Sequence, residues 1–468
     1  MKSRGYVWSF IFLLIIARLY LMDAMPLLDT TEARYGEIAR KMLISGDWVT
    51  LYFSDWSPFW GKPPLSTWLS AGSAYLFGLS ELSLRLPSLI LVYASAWLIY
   101  RLARNELNKD SSILTLVAFI SCPLIYISSG AVMTDLALLF ALTLFFYSVW
   151  QMQVTTAARE RHFYFGCLAL GLGMLAKGPL TLVLAMVPIT LWALIIKADI
   201  LSLRHTTILR GFLLFLIISS PWYILAEIRT PGFLDYFIVG EHILRYIDPG
   251  WAGDLYGQAH ERPYGTIWIF LAVSVFPLPF VALWRIISQK FKLENFKWEL
   301  YLWAWALWPP IFFTFAGNIL ATYVIPTVGP LALLIATLTR QVKQTRLLLF
   351  LCAQGILVAS ILVFTQLTGV FDARSQRQLI NYLDEQNIEY EQVMYYPKIP
   401  FSAEFYSRGG IENNELSIPI GNTEQTKKNI FVIRDSESIS NLMGERTNVE
   451  FLAEFGRYRI YTFRNGDA

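Results

Sequence analysis

Residues 1–21, MKSRGYVWSFIFLLIIARLYL, already place one end of this chain in a membrane. Lys2 and Arg4 precede an apolar run, which is how a secretory signal peptide begins. The run is long and no small-residue cleavage site follows it, so the pattern predicts a first transmembrane helix that is retained.

The composition extends this interpretation to most of the chain. The protein has 468 residues, of which 55% are hydrophobic and 16% are charged, whereas soluble domains are about 25% charged. The apolar residues fall in runs of roughly 17 to 22, enough to cross about 30 Å of hydrocarbon. The predicted spans are 6–22, 83–101, 111–127, 131–150, 163–176, 178–196, 210–226, 265–284, 299–316, 319–339 and 346–366.

The fold class that follows is an all-α polytopic membrane protein with about 11–13 transmembrane helices. The upper figure depends on residues 65–79, which fit either a re-entrant or interfacial helix or a further crossing. The net charge of +3 is scattered, so nothing indicates a nucleic-acid partner. Cys122, Cys167 and Cys352 all lie in apolar runs and indicate neither disulfides nor a metal site.

Basic residues in the short loops predict the orientation. With the N-terminus in the cytoplasm, every even-numbered connection is basic. These connections carry Arg101/Arg104/Lys109, Arg159/Arg161, Lys197/Arg204/Arg210, Arg285/Lys290/Lys292/Lys297 and Arg340/Lys343/Arg346. The long loops 23–64 and 227–264 are then external, and so is everything after residue 370.

The C-terminal part differs in character from the rest. We predict a transmembrane domain at 1–370 and a small external α/β domain at 371–468. RSQRQLINYLDEQN has the pattern of an amphipathic helix, and EQVMYYP, NIFVIRD and GRYRIYTFR have that of short strands. This domain carries no catalytic motif.

The first external loop, LLDTTEARYGEIARKMLISGDW at residues 27–48, predicts an amphipathic helix in the interface. One face carries Tyr35, Ile38, Ala39, Met42 and Leu43, and the other carries Glu37, Arg40 and Lys41. Asp29 and Glu32 have two compatible interpretations. They form a capping box at the start of this helix, or one of them is a general base directed into a cavity.

Further polar residues gather at the external ends of the spans, where charges at membrane depth indicate function. Lys62, in SPFWGKPPLSTW at residues 57–68, either reaches lipid head groups or meets an anionic substrate. Asp135 lies about one turn inside an apolar span and Lys177 lies on a tight hairpin. Tyr323, taken alone, is typical of the aromatic belt at a membrane interface.

The second external loop adds weaker candidates. Glu241 and Arg245 are one helical turn apart and could simply pair. His242 and His260 could bind a metal together with an acid, although their spacing is not that of a metal motif.

Several stretches together resemble a known family. They are LLDTTEARYGEIARKMLISGDWVT, PFWGKPPLSTWLSA, GLGMLAKGPL, SSPWYIL, GEHILRY and ATYVIP, in this order. They resemble the aminoarabinose (lipid A) transferase-like family of integral-membrane glycosyltransferases in the GT-C superfamily, relatives of the protein O-mannosyltransferases. The resemblance covers about residues 1–340 and, more loosely, the C-terminal domain.

This resemblance implies a glycosyltransferase that takes a sugar from a polyprenyl-phosphate carrier such as undecaprenyl phosphate. The implied acceptor is lipid A or lipopolysaccharide core, on the periplasmic side of a bacterial inner membrane. The implied partners are the donor, a lipid or glycan acceptor and the bilayer. The alternatives are a protein O-glycosyltransferase and, from another class, a transporter or flippase of lipid-linked sugars, for which inverted repeats and broken helices are expected. The sequence indicates neither feature.

The resemblance also assigns residues. Lys62 corresponds to the family lysine that contacts the carrier phosphate, and Tyr323 to a tyrosine near that phosphate. Two departures concern the acids. The Asp-Glu pair that starts the family's helix is Thr31 and Glu32 here, and the glutamate before the lysine is Gly61. A divalent metal is therefore less expected than in a typical member, and no cofactor is required.

The mechanism expected from these assignments starts with cleavage of the sugar C1–O bond, which leaves charge on the carrier phosphate for a fixed cation to stabilise. Lys62 is predicted to supply this cation, and Lys177 or Tyr323 is predicted to assist it. The candidate acids are Glu32, expected to be the most sensitive, then Asp29 and Asp135. A phosphate acceptor would need no base. The substrate-cavity candidates are Arg34, Tyr35, Glu241, His242, Arg245 and His260.

Overall fold

The computed structural model describes residues 2–53, 56–198, 202–248, 250–256, 260–288, 295–411, 430–434 and 449–463. Lys290 and Lys292 of the predicted basic connections lie outside these residues. The first half contains α1 (Lys2–Ala24), α2 (Thr31–Ser45), α3 (Leu65–Phe77), α4 (Glu81–Glu106), α5 (Lys109–Ile120), α6 (Pro123–Ser128), α7 (Asp135–Val154), α8 (Arg159–Lys177), α9 (Leu180–Ile196) and α10 (His205–Arg229).

A π-helix, Asp235–Leu244, follows and continues into α11 (Arg245–Ile247). The remaining helices are α12 (Thr266–Ser274), α13 (Leu278–Ser288), α14 (Phe296–Phe313), α15 (Ile325–Leu338), α16 (Thr345–Leu367), α17 (Arg377–Glu385) and α18 (Phe401–Tyr406). The strands are β1 (Val393–Tyr396), β2 (Ile430–Arg434), β3 (Val449–Phe455) and β4 (Tyr458–Phe463).

The predicted helical membrane fold is confirmed. Six helices of the described ranges are long and apolar enough to cross a bilayer: Gly5–Ala24, Glu81–Glu106, Asp135–Val154, His205–Arg229, Ala321–Leu338 and Thr345–Leu367. Their centre is packed with large aromatic side chains. Phe146 stacks on Trp305 with ring centroids 4.3 Å apart, and Tyr301 donates to the carbonyl of Phe146 at 2.5 Å. The figure of 11–13 spans stays a prediction, because other apolar helices are shorter, broken or more polar.

Two predicted spans are not continuous helices. The span 111–127 is divided into α5 and α6, with Pro123 at the start of the second. The span 265–284 is bent by 96° between α12 and α13. Pro277 lies in that break and has no N–H to donate to a continuing helix. The expectation that the chain has no broken helices was therefore wrong, and that argument against a transporter is lost.

Helix α3 resolves the ambiguity at residues 65–79. It has 13 residues, and at 1.5 Å per residue it is about 20 Å long, too short for about 30 Å of hydrocarbon. Its geometry favours the re-entrant or interfacial interpretation. It packs on α2 and α4 beside the Lys62 segment.

The C-terminal domain has the predicted helix and all three predicted strands, together with β3, which the sequence did not indicate. The sheet order is β1-β2-β4-β3, with β1 and β2 parallel and the other pairs antiparallel. Leu379 and Leu383 of α17 pack on Val393 and Val432 of the sheet. The division at residue 370 itself stays a prediction.

Helix α2 forms as predicted, but its polar face does not meet water. Glu37, Arg40 and Lys41 are all at most 5% exposed, because α18 and the turn after it cover them. Arg40 pairs with Glu37 at 2.6 Å and donates to the carbonyl of Arg408 at 2.9 Å. Lys41 lies 3.4 Å from the carboxylate of Glu404. The polar face of α2 is thus the surface on which α18 and the turn after it pack.

Candidate active site

A cavity opens where the Lys62 segment, the end of α8 and the π-helix meet the end of α14 and the turn before α15. Its volume is about 100 Å³. Its polar wall consists of Lys62, Lys177, Glu241, His242, Arg245, Asn318 and Tyr323. Its apolar wall includes Leu180, Phe312, Phe313 and Ala316. Charged groups opposite apolar side chains suit a ligand with an anionic head and a lipid tail.

Lys62 is held at the mouth of this cavity by an acid from the loop at residues 227–264. Its ammonium donates to Glu241 Oε2 at 3.0 Å and to the carbonyl of Gly61 at 2.5 Å. The Lys62 side chain is 25% exposed and that of Glu241 4%. Burial by itself would raise the pKa of the Glu241 carboxyl, but Lys62 and Arg245 outweigh burial and hold that pKa below its usual value. Lys62 is therefore positioned by an ionised glutamate and still reaches solvent.

Arg245 extends the same network. It donates to Glu241 Oε1 at 2.8 Å, so the predicted pairing of the two residues is present, and its other terminal nitrogen lies 3.2 Å from Asp254 Oδ2. Burial by itself would lower the pKa of the Arg245 guanidinium, but the two acids raise it above its usual value. Glu241 thus bridges two cations that line the cavity.

Asp135 and Lys177, predicted separately, form an ion pair deeper in the site. Lys177 Nζ lies 3.1 Å from Asp135 Oδ1 and 5.6 Å from the centre of the Tyr323 ring. Asp135 is the first residue of α7 and Lys177 the last of α8, so the pairing joins two helix ends. Tyr323 stacks near Phe313, with centroids 4.7 Å apart. This tyrosine is part of the cavity wall.

His242 fills the space behind Lys177. Its Nδ1 lies 2.7 Å from the carbonyl of Phe237 and its Nε2 lies 3.0 Å from that of Lys177. Burial lowers the pKa of this imidazole. Both ring nitrogens face carbonyl oxygens, so His242 holds the π-helix against α8. Within the described part of the chain, no three His, Cys, Asp or Glu side chains converge as metal ligands would.

Glu32 lies outside the cavity, in a saturated network. Arg85 donates to both of its carboxylate oxygens at 2.8 Å, and the backbone N–H of Val132 donates at 3.1 Å. Arg85 is 1% exposed and also donates to the carbonyls of Met22, Met25 and Pro26. The carboxylate has the surroundings of a structural group that ties the start of α2 to α4.

Asp29 also lies away from the cavity, beneath the C-terminal domain. Its carboxylate accepts from the backbone N–H of Ser402 at 3.0 Å and from the Ser402 hydroxyl. Burial raises the pKa of this carboxyl to about 6, against the opposing effects of Ser402 and Arg374. The capping-box interpretation was wrong for Asp29, since α2 has Thr30 at its N-cap and no side-chain cap. Glu32 does reach back, to the N–H of Leu28 at 3.2 Å.

The other predicted cavity residues surround the site without lining the cavity. Arg34 donates to the carbonyl of Tyr256 at 2.9 Å and lies over the ring of Tyr35 at 5.4 Å. The backbone N–H of His260 donates to Asn318 Oδ1 at 3.1 Å. Burial and the neighbouring Arg245 lower the pKa of the His260 imidazole.

Three residues of the site were missed by sequence reasoning. Asp254 pairs with Arg245. Tyr256 accepts from the N–H of Trp60 at 3.0 Å and donates to the carbonyl of Pro58 at 2.8 Å, so it fixes the backbone just before Lys62. Asn318 lines the cavity, and its amide nitrogen has no partner among the described residues. Only Asn318 had a signal in the sequence, as a polar residue in the short turn AGN between two predicted spans.

Comparisons with known proteins agree with this architecture. A family described as dolichyl-phosphate-mannose-protein mannosyltransferase matches residues 7–237. An undecaprenyl phosphate-alpha-4-amino-4-deoxy-L-arabinose arabinosyl transferase of Erwinia tasmaniensis is 31% identical over 342 residues, 70% of this chain and 59% of the relative. A protein of the same name from an Enterobacter species is 30% identical over 358 residues, 74% of this chain and 61% of the relative.

The chain thus spans about three fifths of the length of these curated relatives. The crystal structure of ArnT from Cupriavidus metallidurans bound to undecaprenyl phosphate matches with a TM-score of 0.79 at 17% identity. That match covers 98% of both chains, so the two proteins share a fold.

Proposed function

We propose that the chain belongs to the aminoarabinose transferase-like family of membrane proteins in the GT-C superfamily, which it resembles in sequence and in fold, and that it is a glycosyltransferase. Its donor is a sugar on a polyprenyl-phosphate carrier, undecaprenyl phosphate being the natural choice for a bacterial membrane. Its acceptor is lipid A or lipopolysaccharide core. The reaction takes place on the periplasmic side of the inner membrane, where the C-terminal domain also lies.

The observation that carries the proposal is the cavity with Lys62, Lys177 and Arg245 on one wall and Leu180 and Phe312 on the other. When the C1–O bond of the sugar breaks, negative charge develops on the carrier phosphate. Cations fixed in advance stabilise that charge without reorganisation. Each of the three cations already has a carboxylate partner, so none needs the substrate in order to hold its place.

Lys62 is the group assigned to the phosphate. Two of its three N–H groups are taken by Gly61 and Glu241, and its side chain is 25% exposed, against 10% for that of Lys177. It therefore reaches an incoming phosphate oxygen while Glu241 keeps it in position. The amide nitrogen of Asn318, which has no partner among the described residues, is a second donor for the phosphate or the sugar.

The arrangement of acids favours an acceptor that needs no deprotonation. Glu32 and Asp29 are engaged elsewhere, and Asp135 and Glu241 each pair with a lysine. In the described part of the chain, no carboxylate of the site is thus left as an unpaired base. A phosphate group of lipid A is already anionic and fits this arrangement. No metal ion is required by this scheme, in which Lys62, Lys177 and Arg245 supply the positive charge.

The test compares the envelope of a deletion strain with that of its parent by mass spectrometry. We expect one sugar to be missing from lipid A or core and to return when the gene is restored, but not with the Lys62→Ala variant. If an envelope protein loses the sugar instead, the enzyme is a protein O-glycosyltransferase. If the lipid-linked donor accumulates on the cytoplasmic side and no acceptor changes in reconstituted membranes, the protein is a flippase.

The orientation has its own test. A reporter enzyme that is active only in the periplasm is fused after residue 370. We expect activity there, and none when the fusion point lies after Ala158, at the end of the connection between α7 and α8. The opposite pattern would place the cavity on the wrong side for a periplasmic acceptor.

A further inference from the structure

A second cavity lies at the other end of the helices that hold Asp135 and Lys177. It is formed where α4 ends, α7 ends and α8 begins, and its volume is about 430 Å³. Helix α8 has 19 residues, so its ends are about 28 Å apart at 1.5 Å per residue. This cavity is therefore separate from the site of the proposed transfer.

Two buried polar groups that line this cavity have no partner in the described part of the chain. Gln151 is 5% exposed and its amide nitrogen makes no hydrogen bond, while its oxygen accepts from the Thr155 hydroxyl at 3.4 Å. His162 is 6% exposed and its Nδ1 is likewise unpartnered. A buried donor without an acceptor is costly, and such groups are normally satisfied by water, an ion or a ligand.

The charged residues of the cavity are predominantly basic. Arg101, near the end of α4, and Arg161, in the first turn of α8, line the same space with their side chains exposed. The acid in the wall, Glu106, accepts from the indole N–H of Trp150 at 2.8 Å. Two guanidinium groups, an unpartnered amide and one engaged acid give a positive site rich in donors. Arginine binds phosphate oxygens in this way.

We propose that this cavity binds a phosphate-bearing group, either the head group of a phospholipid or a free phosphate ion. Arg101 and Arg161 contact the phosphate oxygens at the rim, and the Gln151 amide donates from the buried wall. The ends of membrane helices lie at the level of lipid head groups, where basic pockets between helices recognise them. The proposal does not depend on the reaction catalysed at the opposite face.

The experiment uses the purified, delipidated full chain and native mass spectrometry, with thermal melting as a second readout. The probes are phosphatidylglycerol, diacylglycerol with the same acyl chains, and inorganic phosphate. We expect one phosphatidylglycerol per chain to bind and diacylglycerol not to bind. The paired change Arg101→Gln with Arg161→Gln should weaken binding on the order of tenfold. Arg104→Gln, an exposed arginine one turn further along α4, is the matched control and should leave binding unchanged.

The two sources of phosphate give different results. If inorganic phosphate raises the melting temperature and phosphatidylglycerol adds nothing, the ligand is the free ion. If phosphatidylglycerol binds and inorganic phosphate does not compete, it is the lipid. Equal binding of phosphatidylglycerol and diacylglycerol without any effect of phosphate would overturn the proposal. So would a loss of phosphatidylglycerol binding in Arg104→Gln as large as that in the paired variant.

Gln151→Met separates binding from folding. Methionine fills a similar space and removes the unpartnered donor. The variant should melt at a higher temperature than the wild type without ligand, yet gain less when the probe is added. If both the melting temperature without ligand and the gain on adding the probe fall, Gln151 supports the packing of the helices, which would contradict its assignment to the ligand.

Discussion

The Lys62 cavity and the Glu32–Arg85 cluster both consist of ion pairs at helix ends, but their surroundings differ. In the cavity, Lys62 and Arg245 are 25% and 24% exposed and face apolar side chains across an open space. In the cluster, Arg85 is 1% exposed and gives its donors to one carboxylate and three carbonyls. Open, partly committed charges suit a substrate that comes and goes, whereas closed, saturated charges suit a fixed joint between segments.

The strongest way to break this comparison is Glu32→Gln. The change leaves Arg85 buried without a countercharge, and losing one partner of a buried pair costs about 3–5 kcal/mol of stability. We expect a large fall in melting temperature in detergent, with near-normal transfer by the protein that remains folded. Glu81→Gln is the control, since Glu81 pairs with the more exposed Arg377 and should cost far less. Loss of transfer at unchanged stability would restore Glu32 as the base.

Lys62→Ala is the matching test on the cavity side. We expect transfer to fall about 10²–10³-fold, as when one preorganised group of a transition-state site is removed, while melting temperature changes little. Lys62→Arg should recover only part of the activity, because a planar fork replaces a compact charge. Lys398→Ala, an exposed lysine outside the cavity, serves as control. Transfer at the wild-type rate by the alanine variant would return Lys62 to the role of a head-group contact.

Asp29, another acid outside the cavity, should make the stability of the protein depend on pH. Its folded-state pKa is about 6 against an ordinary 3.8, so the folded protein binds a proton more tightly than the unfolded chain does. Its contribution to stability is therefore greatest below pH 4 and is lost as pH rises toward 6. At about 1.4 kcal/mol per pKa unit, that loss is at most about 3 kcal/mol. Melting curves of wild type and Asp29→Asn should diverge across this window. Parallel curves would mean that Asp29 does not titrate there.

The smallest expected effect is that of Tyr323→Phe. The ring remains beneath Lys177, and only the hydroxyl is lost. One neutral hydrogen bond is worth about 0.5–1.5 kcal/mol, so we expect a fewfold to tenfold fall in transfer. Tyr323→Leu, which also removes the ring, should fall further. Equal activity of the two variants would show that the ring itself contributes nothing to the site.

The membrane fold could be predicted because long apolar runs have few alternative structures in a bilayer. The sequence also predicted α17, because its apolar residues recur at helical spacing, and the strands β1, β2 and β4. Strand β3 was missed because VEFLAEF mixes charges with apolar residues and has the short pattern of a loop. The bend at Pro277 was missed because hydropathy does not record where backbone donors are lost.

The candidate site was predictable in its cations but not in their partners. Lys62 and Lys177 stand out because charge is rare in apolar surroundings. Their acids, Glu241 and Asp135, lie 179 and 42 positions away, and no local pattern relates positions so far apart. Glu32 was misleading because its local pattern fits two different roles. An acid at a helix start is typical both of catalysis and of anchoring, and only the position of Arg85 favours the second.

The covering of α2 by α18 has a consequence for how the protein is made. Residues 401–409 are synthesised long after Glu37, Arg40 and Lys41, yet they complete the burial of these three side chains. Phe401 also lies against Phe53, with ring centroids 5.3 Å apart, and Phe53 packs on Tyr256 beside the Lys62 segment. During synthesis α2 therefore stays incompletely packed until α18 has been made. A chain truncated before residue 400 would still insert its apolar helices in the bilayer, but the polar face of α2 would remain uncovered.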